Sequence, residues 1–145
     1  MKKVLYLLLA VMLILPMAVA CGATPDGEPV AIANVQVLDY SLAYSEATDG
    51  AASTLDESMI TTIFSGEVTA YVTEGATLTL KDVVEGYIRD NNVDAVTNDA
   101  GTMYTSLAGL SEGNGFFWNF TVNGTETSLS ATINATDTIV IAYMK

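Results

Sequence analysis

Histidine is absent from this chain of 145 residues, and cysteine occurs once. The first absence removes the commonest acid–base side chain and the commonest transition-metal ligand. The single Cys21 excludes an intrachain disulfide and a cysteine-based zinc site. Basic residues are scarce as well. Lys and Arg together number 5 against 17 Asp and Glu, a formal charge of −12. So acidic a chain repels phosphate backbones, which disfavours nucleic acid as a partner. Proline occurs only three times, so little in the body of the chain forbids strands or helices. The mean hydropathy of +0.38 suggests a membrane protein, but one segment inflates it.

That segment is the first. Lys2 and Lys3 precede an uncharged apolar run from Val4 to Ala20, interrupted by Pro16 and ending in Ala18-Val19-Ala20. A basic start, an apolar stretch and a small-residue end mark an export signal over residues 1–20. Cys21 follows immediately. A small-residue cleavage site directly before cysteine resembles the bacterial lipobox, in which that cysteine is lipidated and becomes the new N-terminus. Ala18 stands where leucine is preferred. Ordinary cleavage leaving a free thiol, and an uncleaved anchor, are the alternatives. Lipidation accounts for the position of the sole cysteine and expects an exported protein, lipid-anchored at a bacterial cell surface or in the periplasm. Without residues 1–20 the chain keeps three basic residues against all seventeen acids, a formal charge of −14. Residues 21–29 then form the lipidated cysteine and a flexible tether of turn-forming residues, with the folded domain at 30–145.

Within the domain, apolar residues begin to alternate from Ala31 towards Tyr44, which predicts a strand. Glu46–Asp56 is small and polar and reads as a loop. Glu67–Thr73 is β-branched and closes on Glu74-Gly75, predicting a second strand. Thr79 with Asp82 three residues later has the form of a capping box. Leu80, Val83, Val84, Tyr87 and Ile88 then make one apolar stripe at helical period, and Asp90-Asn91-Asn92 ends it. Met103–Leu107, Phe116–Val122 and Ile139–Met144 predict further strands, with a hairpin turn at Asn123-Gly124. Strands around a single helix give an α+β domain, of which a β-grasp-like sheet with one packed helix is the simplest form.

The residues Gly101–Leu110, Gly115–Gly124 and Asp137-Thr138-Ile139, following the helix start Thr79–Val84, resemble the DUF4430 family. That family is similar to the β-grasp-like C-terminal domain of transcobalamin and intrinsic factor. The resemblance spans about residues 33–145. Thr136-Asp137 replaces the family's usual Gly-Asp, and the large helical domain of the animal proteins is absent. In those proteins this domain closes over cobalamin. By motif, the resemblance implies ligand contact by Tyr104, Thr105, Ser106, Leu107, Phe117, Trp118 and Asn119. It implies a corrinoid ligand bound for uptake, with a transporter or partner protein supplying the second binding face.

Catalysis finds no support. Only Lys81 and Arg89 are basic within the body, and no nucleophile has an evident base, so the chain reads as no enzyme, with no catalytic residue and no cofactor of its own. Asp90-x-Asn92-x-Asp94 imitates the opening of a calcium loop. Ala95 replaces its glycine and Gly101 its bidentate glutamate, so no metal site is expected. On a strand, Phe116, Trp118 and Phe120 face one side, and Phe117, Asn119 and Thr121 the other. The first set is expected in the core, with Trp118 half-buried at the strand's start and its indole edge exposed. Phe117 then either joins a second small core or is a solvent-facing platform beside amide and hydroxyl groups, suited to a large, partly apolar ligand. A protein-interaction or adhesion module without a small-molecule ligand, using this face or an exposed sheet edge, is the alternative function.

Lipidation makes Cys21→Ser the decisive variant for anchoring. It is expected to leave the membrane fraction or to fail maturation, checked by fractionation and by the mass of the wild-type N-terminus.

Overall fold

The computed structural model describes residues 25–44 and 54–145. The export segment, Cys21, the tether up to residue 24 and most of the expected loop at 46–56 lie outside the described residues.

Strand β1 is Glu28–Asp39 and supplies Ile32, Val35 and Val37 to the core, all without exposed surface. Residues 32 and 35 are an odd number apart and would face opposite sides of a regular strand. The pairing with β2, Thr61–Val72, resolves this. Ile32 sits opposite Val68 and Val35 opposite Gly66, so β1 carries one extra residue there. This β-bulge at Ala33-Asn34 returns Val35 to the core face. β2 begins well before the expected Glu67. Thr61, Thr62, Ile63 and Ser65 are all exposed, and the inward side of this half carries one large side chain, Phe64 against Tyr87, with Gly66 next to it, too little to write a two-residue apolar period into the sequence.

Helix α1 is Leu80–Asp90. The Asp82 carboxylate accepts from both the backbone N–H and the hydroxyl of Thr79, at 2.8 and 2.7 Å. The amides of Leu80 and Lys81, which no helix residue can satisfy, donate to the carbonyls of Ala131 and Leu129. At the other end Asn92 is left-handed, with φ 51°. There the amides of Asn92 and Val93 bond back to the carbonyls of Arg89 and Ile88, closing a Schellman motif. Asp90 is occupied at this end. Its carboxylate accepts from the Thr69 amide and pairs with Arg89. The calcium-like spacing is therefore spent on a helix end, followed by strand β3, Ala95–Thr97.

Leu80, Val83, Val84 and Tyr87 of the stripe are buried, and Ile88 is half-buried against the same core. Gly86 is buried too, and it sets how closely α1 approaches β2. A Cβ there would lie 2.5 Å from the Thr69 carbonyl oxygen and 2.9 Å from Val68 Cγ1.

The remaining strands are β4 Tyr104–Leu107, β5 Leu110-Ser111, β6 Phe117–Val122, β7 Thr125-Glu126 and β8 Thr138–Met144. They form two sheets, a small antiparallel one in the order β3-β4-β5 and a mixed five-stranded one in the order β2-β1-β8-β6-β7. β1 and β8 are the parallel pair, in register from Asn34 opposite Thr138 to Asp39 opposite Tyr143. The domain is thus α+β, as the pattern predicted. β3 and β5 are two or three residues long, too short to leave a pattern in the sequence. Asn123 and Gly124, with φ 52° and 78°, form the tight turn from β6 to β7. The Asn123 side chain also holds Asp137 and the Thr138 amide, which ties this turn to the start of β8. Among the described residues no helix is long and apolar enough to cross a membrane.

Gly86→Ala separates propensity from packing. In an open helix the change gains about 1 kcal/mol. Here the added methyl meets backbone, so a net loss of about 1–3 kcal/mol is expected, read from urea unfolding. Val84→Asp, which buries an unpaired carboxylate, is expected to cost several kcal/mol. Glu85→Ala, which removes only an exposed pair with Lys81 at 3.6 Å, should cost about 0.5 kcal/mol or less.

Candidate functional site

The alternation along β6 sorts its side chains as expected, with one correction. Trp118 and Phe120 are buried, and Phe116 is half-buried in the turn that precedes the strand. Trp118, expected half-buried with an exposed indole edge, is only 3% exposed. Its Nε1 donates to the Leu110 carbonyl at 3.2 Å, which removes any need for the indole edge to reach solvent. The Tyr143 hydroxyl donates to the neighbouring Ser111 carbonyl at 2.6 Å. Both bonds fasten β5, and so the small sheet, to the main one. Phe116 stacks on Tyr143 at 5.3 Å, Trp118 packs on Tyr143 at 5.3 Å, and Tyr44 meets Phe116 edge-on at 5.9 Å. Most of the aromatic run is a structural joint.

Phe117 stands apart. It is 39% exposed and makes no ring contact among the described residues. It opens β6 opposite Met144, on the sheet face away from α1, and Asn119 follows it on that face, half-buried. A cleft of about 210 Å³ lies beside it, bordered by Thr102, Met103 and Asn119 and closed by residues 126–129. Met103 is itself 47% exposed. The β6–β7 turn places the closing segment. Glu126 pairs with Thr121, and the Thr127 amide donates to Phe120.

The structure does not gather all seven implied ligand residues. Phe117, Trp118 and Asn119 border the cleft, with Trp118 contributing little open surface. Tyr104 and Leu107 are buried in the core at the two ends of β4. Thr105 and Ser106 lie between them, half-buried, and their hydroxyls are engaged within the small sheet. Thr105 donates to the Val96 carbonyl at 3.3 Å, and Ser106 accepts from Ser111 at 3.2 Å. None of residues 104–107 borders the cleft. Met103 and residues 126–129 were missed. The Asn123-Gly124 turn did carry a signal for the latter, because a two-residue hairpin must fold residues 125–129 back along β6.

Charge at the cleft is sparse. Glu126 is its one ionisable residue, and no group of three or more metal-ligating side chains gathers among the described residues. A second hollow of about 380 Å³ shares Thr102, Ser128 and Leu129 with it and adds Thr79, Lys81 and Ser130. It lies at the start of α1, yet the first two helix amides are already bonded to Ala131 and Leu129, so they offer nothing to an anion. Comparison with protein-family models gives no match for this chain, and comparison with curated proteins gives none either.

Burial, reinforced by the Glu85 carboxylate, pushes the Tyr104 phenol up to about 12 from its ordinary 10.0. Above pH 10 the unfolded chain therefore gives up this proton while the folded chain keeps it. The contribution to stability is complete below about pH 10 and drains away as the pH climbs towards about 12. Tyr104→Phe is expected to flatten the alkaline loss of stability, measured by denaturant unfolding across that window. Tyr87 and Tyr143, both raised chiefly by burial, keep part of the slope.

Proposed function

We propose that this chain is an exported, lipid-anchored binding protein of the DUF4430 kind, whose β6 face takes one side of a large flat ligand, a corrinoid. The observation that carries the reading is Phe117, a large ring left open beside Asn119 and Met103 while its neighbours on β6 are buried. The cleft, about 210 Å³, is smaller than the roughly 300–1,000 Å³ of pockets that enclose a ligand. It suits contact with one face of a planar molecule, with the amide of Asn119 at the rim for its polar edges. Phe117, Met103 and Asn119 are then the contact surface, and Trp118 supports it from beneath. A partner protein, such as an uptake transporter, supplies the opposite face, since one open face alone yields weak affinity. With no histidine in the chain, cobalt receives no axial imidazole from it. The β-grasp form of the fold is part of the same proposal. It is supported by the central parallel pairing of β1 with β8 and by the single helix between β2 and the later strands.

Equilibrium dialysis of the purified protein against cobinamide or cobalamin, with the retained corrinoid quantified by its visible absorbance, tests the reading. Binding is expected, and Phe117→Ala is expected to weaken it by about 1–3 kcal/mol, roughly 5- to 150-fold, without unfolding the domain. Phe120→Ala, a core truncation, should instead cost about 3–5 kcal/mol of stability. No retention of corrinoid at millimolar ligand would remove the corrinoid reading and leave the face to a protein partner.

A further inference from the structure

The two edges of the five-stranded sheet are protected unequally. β7 is two residues long and offers almost no ladder. β2 is twelve residues long, and among the described residues no strand pairs with its outer side. A long free edge is a template for another strand unless something blocks it. One half of β2 is blocked. The Thr69 amide donates to Asp90, the Thr69 carbonyl accepts from the Arg89 guanidinium, and that guanidinium lies 4.6 Å from the centre of the Tyr71 ring. The end of α1 thus occupies the edge at Thr69 with side chains. Among the described residues, Thr61–Glu67 have no such cover, no proline and no lysine, and a bulge at Ile63, where Phe64 pairs with Val37 but Thr62 with Leu38, leaves Phe64–Glu67 as the regular part of the open edge. Outward-pointing backbone groups alternate along a strand, so with Thr69 pointing outward, Glu67 and Ser65 do so too.

We propose that this open half of the β2 edge, Thr61–Glu67, receives an extended segment of a partner protein bearing Lys or Arg, which adds to the sheet as a further strand. Charge selects the occupant. Asp56 and Glu57 precede the strand and Glu67 lies on it, all exposed. At the blocked end Arg89 and Asp90 are paired at 2.8 Å, so the two together add no net charge. A second copy of this chain would bring the same acids to the far side of the edge and set like charges across it. A basic strand meets opposite charge at both ends of the open stretch, and backbone bonds supply the affinity between them. The site is separate from the β6 face and does not depend on a corrinoid.

The probe is a synthetic peptide alternating Thr and Val between terminal lysines, compared with the same peptide between terminal glutamates. Amide hydrogen exchange of the purified protein is followed by NMR. The lysine peptide is expected to slow exchange at Ser65 and Glu67 by roughly tenfold. The effect should fade as salt rises from about 50 mM to about 500 mM, and the glutamate peptide should lack it. Ser65→Pro, which removes one outward N–H, should abolish the protection. If that variant fails to fold, Ile63→Lys at an exposed position should keep the melting temperature and lose the protection by repulsion. Phe117→Ala should leave the peptide effect intact, which separates this surface from the β6 face. No slowing by the lysine peptide, equal slowing by both peptides, or protection retained in a folded Ile63→Lys protein would overturn the proposal. Slowing that follows protein concentration alone would overturn it in favour of a second copy.

Discussion

Strands from opposite ends of the described chain, β1 and β8, lie side by side at the centre of the five-stranded sheet, and the other elements depend on that pairing. β1 holds β2 on its free side, β8 holds β6, and everything between β2 and β6 is a connection from one flank to the other. The helix takes part in that connection, and its depth on the sheet is fixed at Gly86, where no side chain intervenes between α1 and the backbone of β2. Such pairing joins residues far apart in sequence, so its loop-closure entropy must be met before the core gains anything. The core can repay that cost because both central strands are apolar on the inner face. Ile32, Val35 and Val37 of β1 stand beside Ile139 and Ile141 of β8, all without exposed surface.

The aromatic residues divide between holding the architecture and remaining open. Trp118 and Tyr143 reach across to the carbonyls of Leu110 and Ser111, so the small sheet is attached by hydrogen bonds to backbone as well as by ring packing. Phe117 is one residue out of phase with this joint, and the pleat turns it to the other face. A rigid joint directly behind an open ring favours binding, because the open ring's backbone is already held in place.

The sequence was most legible where the information was local. The α1 stripe, its Thr79–Asp82 start and its Asn91-Asn92 stop lie within a few residues of one another, and all appear where expected. The outward turn of Phe117 followed from strand alternation alone. Less legible features depend on distant partners. The bulge at Ala33-Asn34 breaks the period of β1 and makes sense only against the register of β2. The early half of β2 buries too little to show a pattern. The burial of Trp118 depends on a carbonyl eight residues earlier, delivered by a turn at Ala108-Gly109 that strand alternation does not locate. Tyr104 and Leu107 both face the core although an odd number of residues separates them. No alternation rule assigns that, and the family motif did not distinguish their packing from ligand contact.

The direction of the central strands also determines how the domain carries load. Because β1 and β8 run parallel, tension applied between the beginning of β1 and the end of β8 pulls the two strands past each other along their own axes. The six registered positions from Asn34 and Thr138 to Asp39 and Tyr143 then share the force, and they must yield together. The β6–β7 hairpin has the opposite geometry, since a pull on its ends opens one rung at a time. The domain is therefore built to transmit tension through its centre while its two-residue outer strand peels first.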